Sequence, residues 1–145
     1  SEAFIKYLGN GKIKDLNSHQ LDIKEVVDLA KQSKSLIFLA HPHTLMSNNN
    51  FSKRNNWVNS QLNGYFKDLK SFGIDGVEVY YPGYSPSTRN SLLSLLSDFD
   101  LLASGGSDFH GENKPNNLLG IGYENNPIKV PLNLLYKMED AHAKL

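Results

Sequence analysis

Cysteine is absent from this chain of 145 residues. Its absence excludes a disulfide framework, a thiolate zinc site and a cysteine nucleophile. It also fits a reducing compartment, and we expect a cytoplasmic protein. Long apolar runs are missing as well, since none approaches the roughly 18 residues that a membrane span needs. The first residues show no basic stretch followed by an apolar one, so neither a signal peptide nor a membrane partner is predicted.

The chain has no excess charge of either sign, because Lys and Arg number 15 and Asp and Glu also number 15. A zero balance excludes a generally basic nucleic-acid coat and an acidic tail. It leaves room for a small basic patch beside a site. The length suits one domain that buries its core without a disulfide or a metal staple.

Helical and apolar segments alternate along the chain. A capping box at Asp22 and Glu25, a stop at Gly73 and an N-cap at Ser85 before Pro86 mark helix ends. The pattern predicts helices near 22–34, 57–72, 86–98 and 132–144, and strands near 35–40, 75–81 and 100–104. Alternation of this kind predicts an α/β fold with a parallel sheet and right-handed crossovers.

Polar residues follow or end each predicted strand. His41 and His43 follow the first strand, Glu78 lies in the second, and Asp108 and His110 follow the third. The carboxyl ends of parallel strands lie at one edge of the sheet, which is where α/β folds place their sites. We therefore expect these side chains to converge at that edge.

The segment Asp108-x-His110 places a carboxylate and an imidazole two residues apart. In an extended segment both side chains point the same way, and glycines at 105, 106 and 111 allow tight turns around them. Imidazole and carboxylate ligands without thiolate suit zinc, manganese or iron in a hydrolytic site. The simpler alternative is a polar loop whose Asp caps a turn and whose His is solvated. Each residue alone favours that alternative, whereas the group on one edge favours a metal site.

Three motifs in this order resemble the PHP (polymerase and histidinol phosphatase) family of metallophosphoesterases. They are IFLAHP at 37–42, DGVEVYY at 75–81 and SGGSDFHG at 104–111, of which the last is the most specific. The resemblance covers most of residues 1–122. The opening segment AFIKYLGNG at 3–11 also resembles the end of a helical insertion in the nucleotide-phosphatase and 5′–3′ exoribonuclease branch, so we expect 1–20 to end such an insertion.

The resemblance implies a distorted (β/α)7 barrel that holds two or three divalent metal ions, manganese or zinc, and hydrolyses nucleotide or oligonucleotide phosphate esters through a metal-activated water. By the same resemblance, His41, Asp108 and His110 match metal ligands. Asp108 and His110 are also the expected catalytic pair, with Asp108 taking a proton from the water. The remaining candidates would stand behind the ligands or meet the substrate phosphate, and they are Glu78, His43 (where the family usually has Gly), Lys114 and Arg54.

The amino-terminal H-x-H motif of the family is absent from the chain. We therefore expect residues 1–145 to be the carboxyl-terminal part of a PHP domain, with an incomplete or absent metal site and no activity alone. The alternatives are a non-catalytic PHP-like assembly module and a histidinol-phosphate phosphatase. A partial barrel exposes strand edges, so we expect it either to pair with a second copy through that edge or to close a smaller sheet.

Overall fold

The computed structural model describes residues 21–45, 58 and 60–145 of the chain. Within these ranges the chain forms four α-helices and two three-stranded sheets. In chain order the elements are α1 (Ile23–Gln32), β1 (Phe38–Leu39), α2 (Ser60–Phe72), β2 (Gly76–Tyr80), α3 (Pro86–Asp98), β3 (Leu102–Gly105), β4 (Asn117–Leu118), β5 (Gly122–Tyr123), β6 (Asn126–Pro127) and α4 (Asn133–His142).

The first sheet has the order β1-β2-β3, and both strand pairs are parallel. This confirms the predicted α/β class with a parallel sheet. The central strand β2 is the most buried, with Val77 and Val79 fully enclosed. Helices α2 and α3 supply further fully buried side chains of the same core, among them Leu62, Phe66, Leu92 and Leu96. The chain thus buries its apolar residues between one small sheet and its crossover helices.

The helix ends follow the local signals in the sequence. Asp22 and Glu25 form the predicted capping box at the start of α1, and the Ser85 side chain accepts the backbone N–H of Thr88 at the start of α3. Helix α2 ends at the predicted Gly73, which has a φ of 97° and donates its N–H to the Lys70 carbonyl. The two N-caps fix where α1 and α3 begin, and Gly73 ends α2 just before β2.

The structure differs from the predicted elements at two places. Strand β1 has only two residues, since its register with β2 covers Phe38 and Leu39 alone, although the Ile37 carbonyl also accepts backbone N–H groups at the start of β2. The antiparallel sheet β4-β5-β6 was not predicted, since its strands have two residues each and lack an alternating apolar pattern. Gly120, in the turn between β4 and β5, and Gly122, the first residue of β5, both have a positive φ.

Helix α4 packs against β3 and closes one side of the sheet. The predicted seven-unit barrel remains a prediction, as does pairing with a second copy. The predicted insertion at 1–20 and the loop that carries Arg54 lie outside the described residues. Among the helices that are described, none is long and apolar enough to cross a membrane.

Candidate metal centre

The loops after β1 and β3 flank the end of β2, so the predicted site residues lie at one edge of the sheet. Glu78 in β2 accepts the backbone N–H of His41 through Oε2 at 2.8 Å. Tyr81, just beyond β2, donates its hydroxyl to Asp108 Oδ2 at 3.1 Å. The middle strand therefore connects both neighbouring loops through side-chain hydrogen bonds.

His41 and Asp108 adopt backbone conformations that non-glycine residues rarely visit. Their φ angles are 32° and 53°. The expectation of an extended Asp108-x-His110 segment is wrong, because Asp108 lies in the left-handed region. The side chains of Asp108 and His110 are therefore not oriented by the alternation of side chains along a strand. Strained residues of this kind cluster at functional sites, where the surrounding contacts hold them in place.

The Asp108 carboxylate is largely enclosed, with a side-chain exposure of 14%. Its Oδ2 atom accepts Tyr81 and also lies 2.6 Å from Lys114 Nζ. Burial raises the pKa of this carboxyl, but the hydrogen bonds from Lys114 and Tyr81 outweigh it, and the pKa is lowered overall. Asp108 is therefore an anion at neutral pH.

His110 has the orientation expected of a metal-binding imidazole. Its Nδ1 atom lies 2.7 Å from the backbone carbonyl oxygen of Asp108. A carbonyl only accepts, so Nδ1 carries the proton, and Nε2 of the neutral ring holds the lone pair. Histidine ligands usually donate their other ring nitrogen to a carbonyl or carboxylate in this way. Asn117 donates its side-chain amide to the same carbonyl at 2.9 Å.

His41 contains a buried polar atom without a partner. Its Nδ1 has no hydrogen-bond partner within the described ranges. Buried nitrogen atoms are rarely left in this state, and an absent ion or water is one explanation. Glu78 lies beside it, and burial raises the pKa of Glu78 despite the hydrogen bond from the His41 backbone.

His43 is held by a residue that the sequence did not point to. Its Nδ1 lies 2.6 Å from the Tyr84 hydroxyl, and its backbone N–H donates to the same oxygen at 3.4 Å. The rings of His41 and His43 lie 6.1 Å apart. The sequence did not point to Tyr84 or Asn117 as members of the site, nor to the contact of Tyr81 with Asp108, because aromatic and amide side chains give no metal-site signal in one sequence.

The donors fit a divalent metal ion in kind but not in number. Two imidazoles and a carboxylate suit manganese or zinc, and the bond from His110 Nδ1 to the Asp108 carbonyl makes Nε2 the lone-pair nitrogen of that ring. In the parts of the chain with described coordinates, however, no three His, Asp or Glu side chains are grouped so that they could hold an ion. The assignment of His41, Asp108 and His110 as metal ligands therefore stays a prediction.

The candidate phosphate contacts have different surroundings. Lys114 contacts Asp108, so its charge already has a partner, and Arg54 falls outside the described residues. Arg89 on α3 lies over the Tyr80 ring at 5.7 Å. Its Nε and Nη2 atoms are buried and lack partners among the described residues. Buried donor atoms without an acceptor are costly, so the half-buried Arg89 is a candidate anion contact.

The three glycines of the third motif are not equivalent. Gly111 has a φ of 58°, the left-handed conformation that glycine allows. At Gly105 an added Cβ would collide with the Tyr80 Cβ and lie 2.9 Å from Val130 Cγ2, so close packing requires glycine there. Gly106 has neither constraint, because the nearest atom is 3.6 Å away. The prediction of a tight turn therefore applies to Gly111.

Three characterised relatives share about three quarters of the chain. A 5′-3′ exoribonuclease of Haemophilus influenzae is 29% identical over 109 residues, covering 75% of this chain and 36% of the relative. The 5′-3′ exoribonuclease Rnm of Salmonella typhimurium is 30% identical over 110 residues, covering 76% of this chain and 34% of the relative. A phosphoribosyl 1,2-cyclic phosphate 1,2-diphosphodiesterase of Eggerthella lenta is 27% identical over 105 residues, covering 71% of this chain and 34% of the relative.

Two solved structures share the fold. A protein of Bifidobacterium adolescentis, assigned provisionally as a metal-dependent phosphoesterase, has a TM-score of 0.55 and 27% identity, covering 94% of this chain and 42% of its own. An amidohydrolase of Chromobacterium violaceum has a TM-score of 0.57 and covers 97% and 44%, but at 21% identity it supports the fold alone. No protein-family model matches the chain.

These similarities confirm the resemblance to a PHP-like phosphoesterase that the three motifs predicted. The chain spans about a third of the length of the characterised relatives that it matches.

Proposed function

We propose that this chain, PHP-like in sequence and fold, forms the carboxyl-terminal part of a metal-dependent phosphoesterase that acts on nucleotide or oligonucleotide phosphate esters. The observation that carries the proposal is the hydrogen bond between His110 Nδ1 and the Asp108 carbonyl. It makes Nε2 the lone-pair nitrogen of the His110 ring, which is the usual state of a histidine metal ligand whose other ring N–H donates to a carbonyl. His41 is the third proposed ligand.

A divalent ion in such a site supplies charge that lowers the pKa of a water molecule and neutralises phosphate oxygens. The chain's own residues then have three tasks. His41, Asp108 and His110 hold the ion. Asp108, with its lowered pKa, is a base that is already deprotonated at neutral pH. Lys114 and Arg89 are the cations that we expect to contact the phosphate, and Lys114 has to leave Asp108 to do so.

The substrate class is supported by the relatives. Two are named for exoribonuclease activity and one for a phosphodiesterase acting on a phosphoribosyl cyclic phosphate. A ribose-linked phosphate ester is common to all three names. We therefore propose a ribonucleotide or oligoribonucleotide ester rather than histidinol phosphate, and manganese or zinc as the metal. Cytoplasmic location stays a prediction from composition.

A non-catalytic PHP-like module is the second candidate. It is favoured by the lack of a three-ligand group in the described parts of the chain. The orientation of His110 and the unpartnered His41 Nδ1 argue against it, because a site without a ligand has no physical reason to keep either feature.

The test compares two proteins, residues 1–145 alone and the longest polypeptide that the gene encodes. Each is assayed on a generic phosphodiester and on a nucleoside monophosphate, with added manganese and with a chelator. We expect metal-dependent turnover from the longer polypeptide and essentially none from residues 1–145. Turnover by residues 1–145 alone would contradict the division of the site between two parts. Inactivity of both proteins on every ester would favour the non-catalytic module.

A further inference from the structure

The loop between β2 and α3 contains two tyrosines, Tyr81 and Tyr84, whose rings pack against each other. Their ring centroids are 5.1 Å apart. Both side chains belong to the core, with exposures of 8% and 1%. Each hydroxyl nevertheless contacts a candidate site residue. Phenols placed in this way are rigid, because packing fixes the ring and only the hydroxyl remains to form hydrogen bonds.

Tyr81 contacts the loop after β3. Its hydroxyl donates to Asp108 Oδ2 at 3.1 Å, and the direction is certain because an ionised carboxylate only accepts. Lys114 donates to the same oxygen. Both of these hydrogen bonds therefore reach one side of the carboxylate, and Oδ1 faces His110, whose Nδ1 is 3.6 Å away.

Tyr84 contacts the loop after β1. Its hydroxyl is 2.6 Å from the ring Nδ1 of His43 and accepts the His43 backbone N–H at 3.4 Å. Ring and backbone of His43 are thus attached to one buried oxygen, which fixes the direction of the imidazole. Tyr81 packs against the other side of the cluster, with its ring 5.2 Å from that of His43.

We propose that Tyr81 and Tyr84 are positioning residues of this site, in which one loop orients the Asp108 carboxylate through Tyr81 and the His43 imidazole through Tyr84. The positioning roles follow from the contacts described above. Only the identity of what the oriented groups bind rests on the proposed function. Tyr81 directs Oδ1 of Asp108 away from Lys114, and this is the oxygen that we assign to the cation.

The first experiment uses Tyr81→Phe, with the neighbouring Tyr80→Phe as a matched control. Tyr80 loses the same atom, but its described contact is through its ring, beneath Arg89. The side-chain carboxyl 13C signal of Asp108, located with Asp108→Asn, is measured in metal-free protein. We expect it to move in Tyr81→Phe and to stay in place in Tyr80→Phe. An unchanged Asp108 signal in Tyr81→Phe would overturn the proposal.

The second measurement is the affinity for Mn²⁺ by calorimetry, with the same variants made in the longest polypeptide that the gene encodes. Loss of a group that orients a ligand typically lowers metal affinity about 10- to 100-fold, and we expect a fall in that range for Tyr81→Phe alone. A wild-type protein that binds no Mn²⁺ but whose Asp108 signal responds to Tyr81→Phe would reject the proposed function and still support the positioning. Equal losses of Mn²⁺ affinity in Tyr81→Phe and Tyr80→Phe would overturn the positioning role of Tyr81.

The third measurement separates positioning from general loosening of the loop. In Tyr84→Phe, the ring 15N signals of His43 are expected to move while the Asp108 carboxyl signal stays in place, and Tyr81→Phe is expected to give the reverse. Movement of both signals in both variants would show that the tyrosines only pack the loop, and the proposal would fall.

Discussion

Asp100 and Asp108 are alike in conformation and partner, although they lie at opposite edges of the parallel sheet. Their φ angles are 50° and 53°. Each pairs with a lysine, Asp100 with Lys70 at 3.9 Å and Asp108 with Lys114 at 2.6 Å. Their surroundings differ, because the Asp100 side chain is fully exposed and that of Asp108 is only 14% exposed.

The conformation of Asp100 is explained by the helix before it. Its N–H donates to the Ser97 carbonyl, and the next residue, Leu101, donates to Leu96. These two bonds form a Schellman motif, in which a left-handed residue ends the helix. Lys34 has a φ of 51° after α1 for the same reason. The two left-handed residues at the amino edge of the sheet, Lys34 and Asp100, therefore belong to the ends of helices.

The conformation of Asp108 has no such local explanation. The residue follows β3 rather than a helix, and side chains hold it from several sides. His110 and Asn117 bond its carbonyl, while Tyr81 and Lys114 bond its carboxylate. The comparison teaches that a left-handed aspartate indicates a site only when tertiary contacts, rather than a helix end, hold it there.

The largest expected effect comes from the same substitution at the two edges, tested in the longest polypeptide. Asp108→Asn should lower metal-dependent phosphoesterase turnover by about 10²–10⁴-fold, the usual contribution of a positioned base, with the fold intact. Asp100→Asn should leave turnover unchanged, since Asn also tolerates the left-handed region. Initial rates and circular dichroism measure both. Equal losses in the two variants would contradict the distinction between the edges.

The next effect concerns stability at the carboxyl edge. Gly105→Ala places a methyl group against Tyr80 and Val130, and overpacking of this kind costs about 1–3 kcal/mol in the free energy of unfolding. Gly106→Ala should change it by less than about 0.5 kcal/mol, because no atom lies within 3.4 Å of the added carbon. Urea unfolding distinguishes them, and a more stable Gly105→Ala would contradict the packing.

A smaller effect is expected from the two lysines. Lys114→Gln removes a cation from the carboxylate proposed to bind metal, so the affinity for Mn²⁺ should rise by roughly two- to fivefold, the range of a partly exposed ion pair. The KM for a phosphate ester should rise as well. Lys70→Gln at the amino edge should change neither quantity. A fall in Mn²⁺ affinity for Lys114→Gln would show that the lysine supports the metal site rather than competing with it.

The smallest effect is on acid stability. The folded-state pKa of Asp108 is lowered, chiefly by Lys114 and Tyr81 acting against burial. Such a group contributes stability above its unfolded pKa of about 3.9, and loses it as pH falls through the folded-state pKa. Lys114→Gln should therefore reduce the loss of stability in acid, by at most about 1 kcal/mol for a partly exposed pair. Urea midpoints between pH 3 and pH 7 measure it, with Lys70→Gln as the control.

Much of the fold could be predicted from the sequence, because helix ends are marked by local signals. Asp22 with Glu25, Gly73, and Ser85 with Pro86 mark helix ends through contacts within a few residues, and the structure places helix ends there. The short antiparallel sheet was not predictable in this way, since two-residue strands have no period to detect. It positions Asn117, which is 3% exposed and bonds the Asp108 carbonyl.

The sequence by itself determined the α/β class, the order of helix and strand, and the edge at which His41, Glu78, Asp108 and His110 lie, because parallel strands send all their carboxyl ends to one side. The motifs also identified the family. Only the tertiary structure decided that Asp108 is left-handed, which oxygen Lys114 takes, and that Tyr81 and Tyr84 hold two loops. The tyrosine contacts join residues 27 and 41 positions apart in the chain, and no local pattern in one sequence encodes a contact of that range. The Lys114 contact spans only six positions, but it lies in an irregular loop that has no periodic pattern to detect.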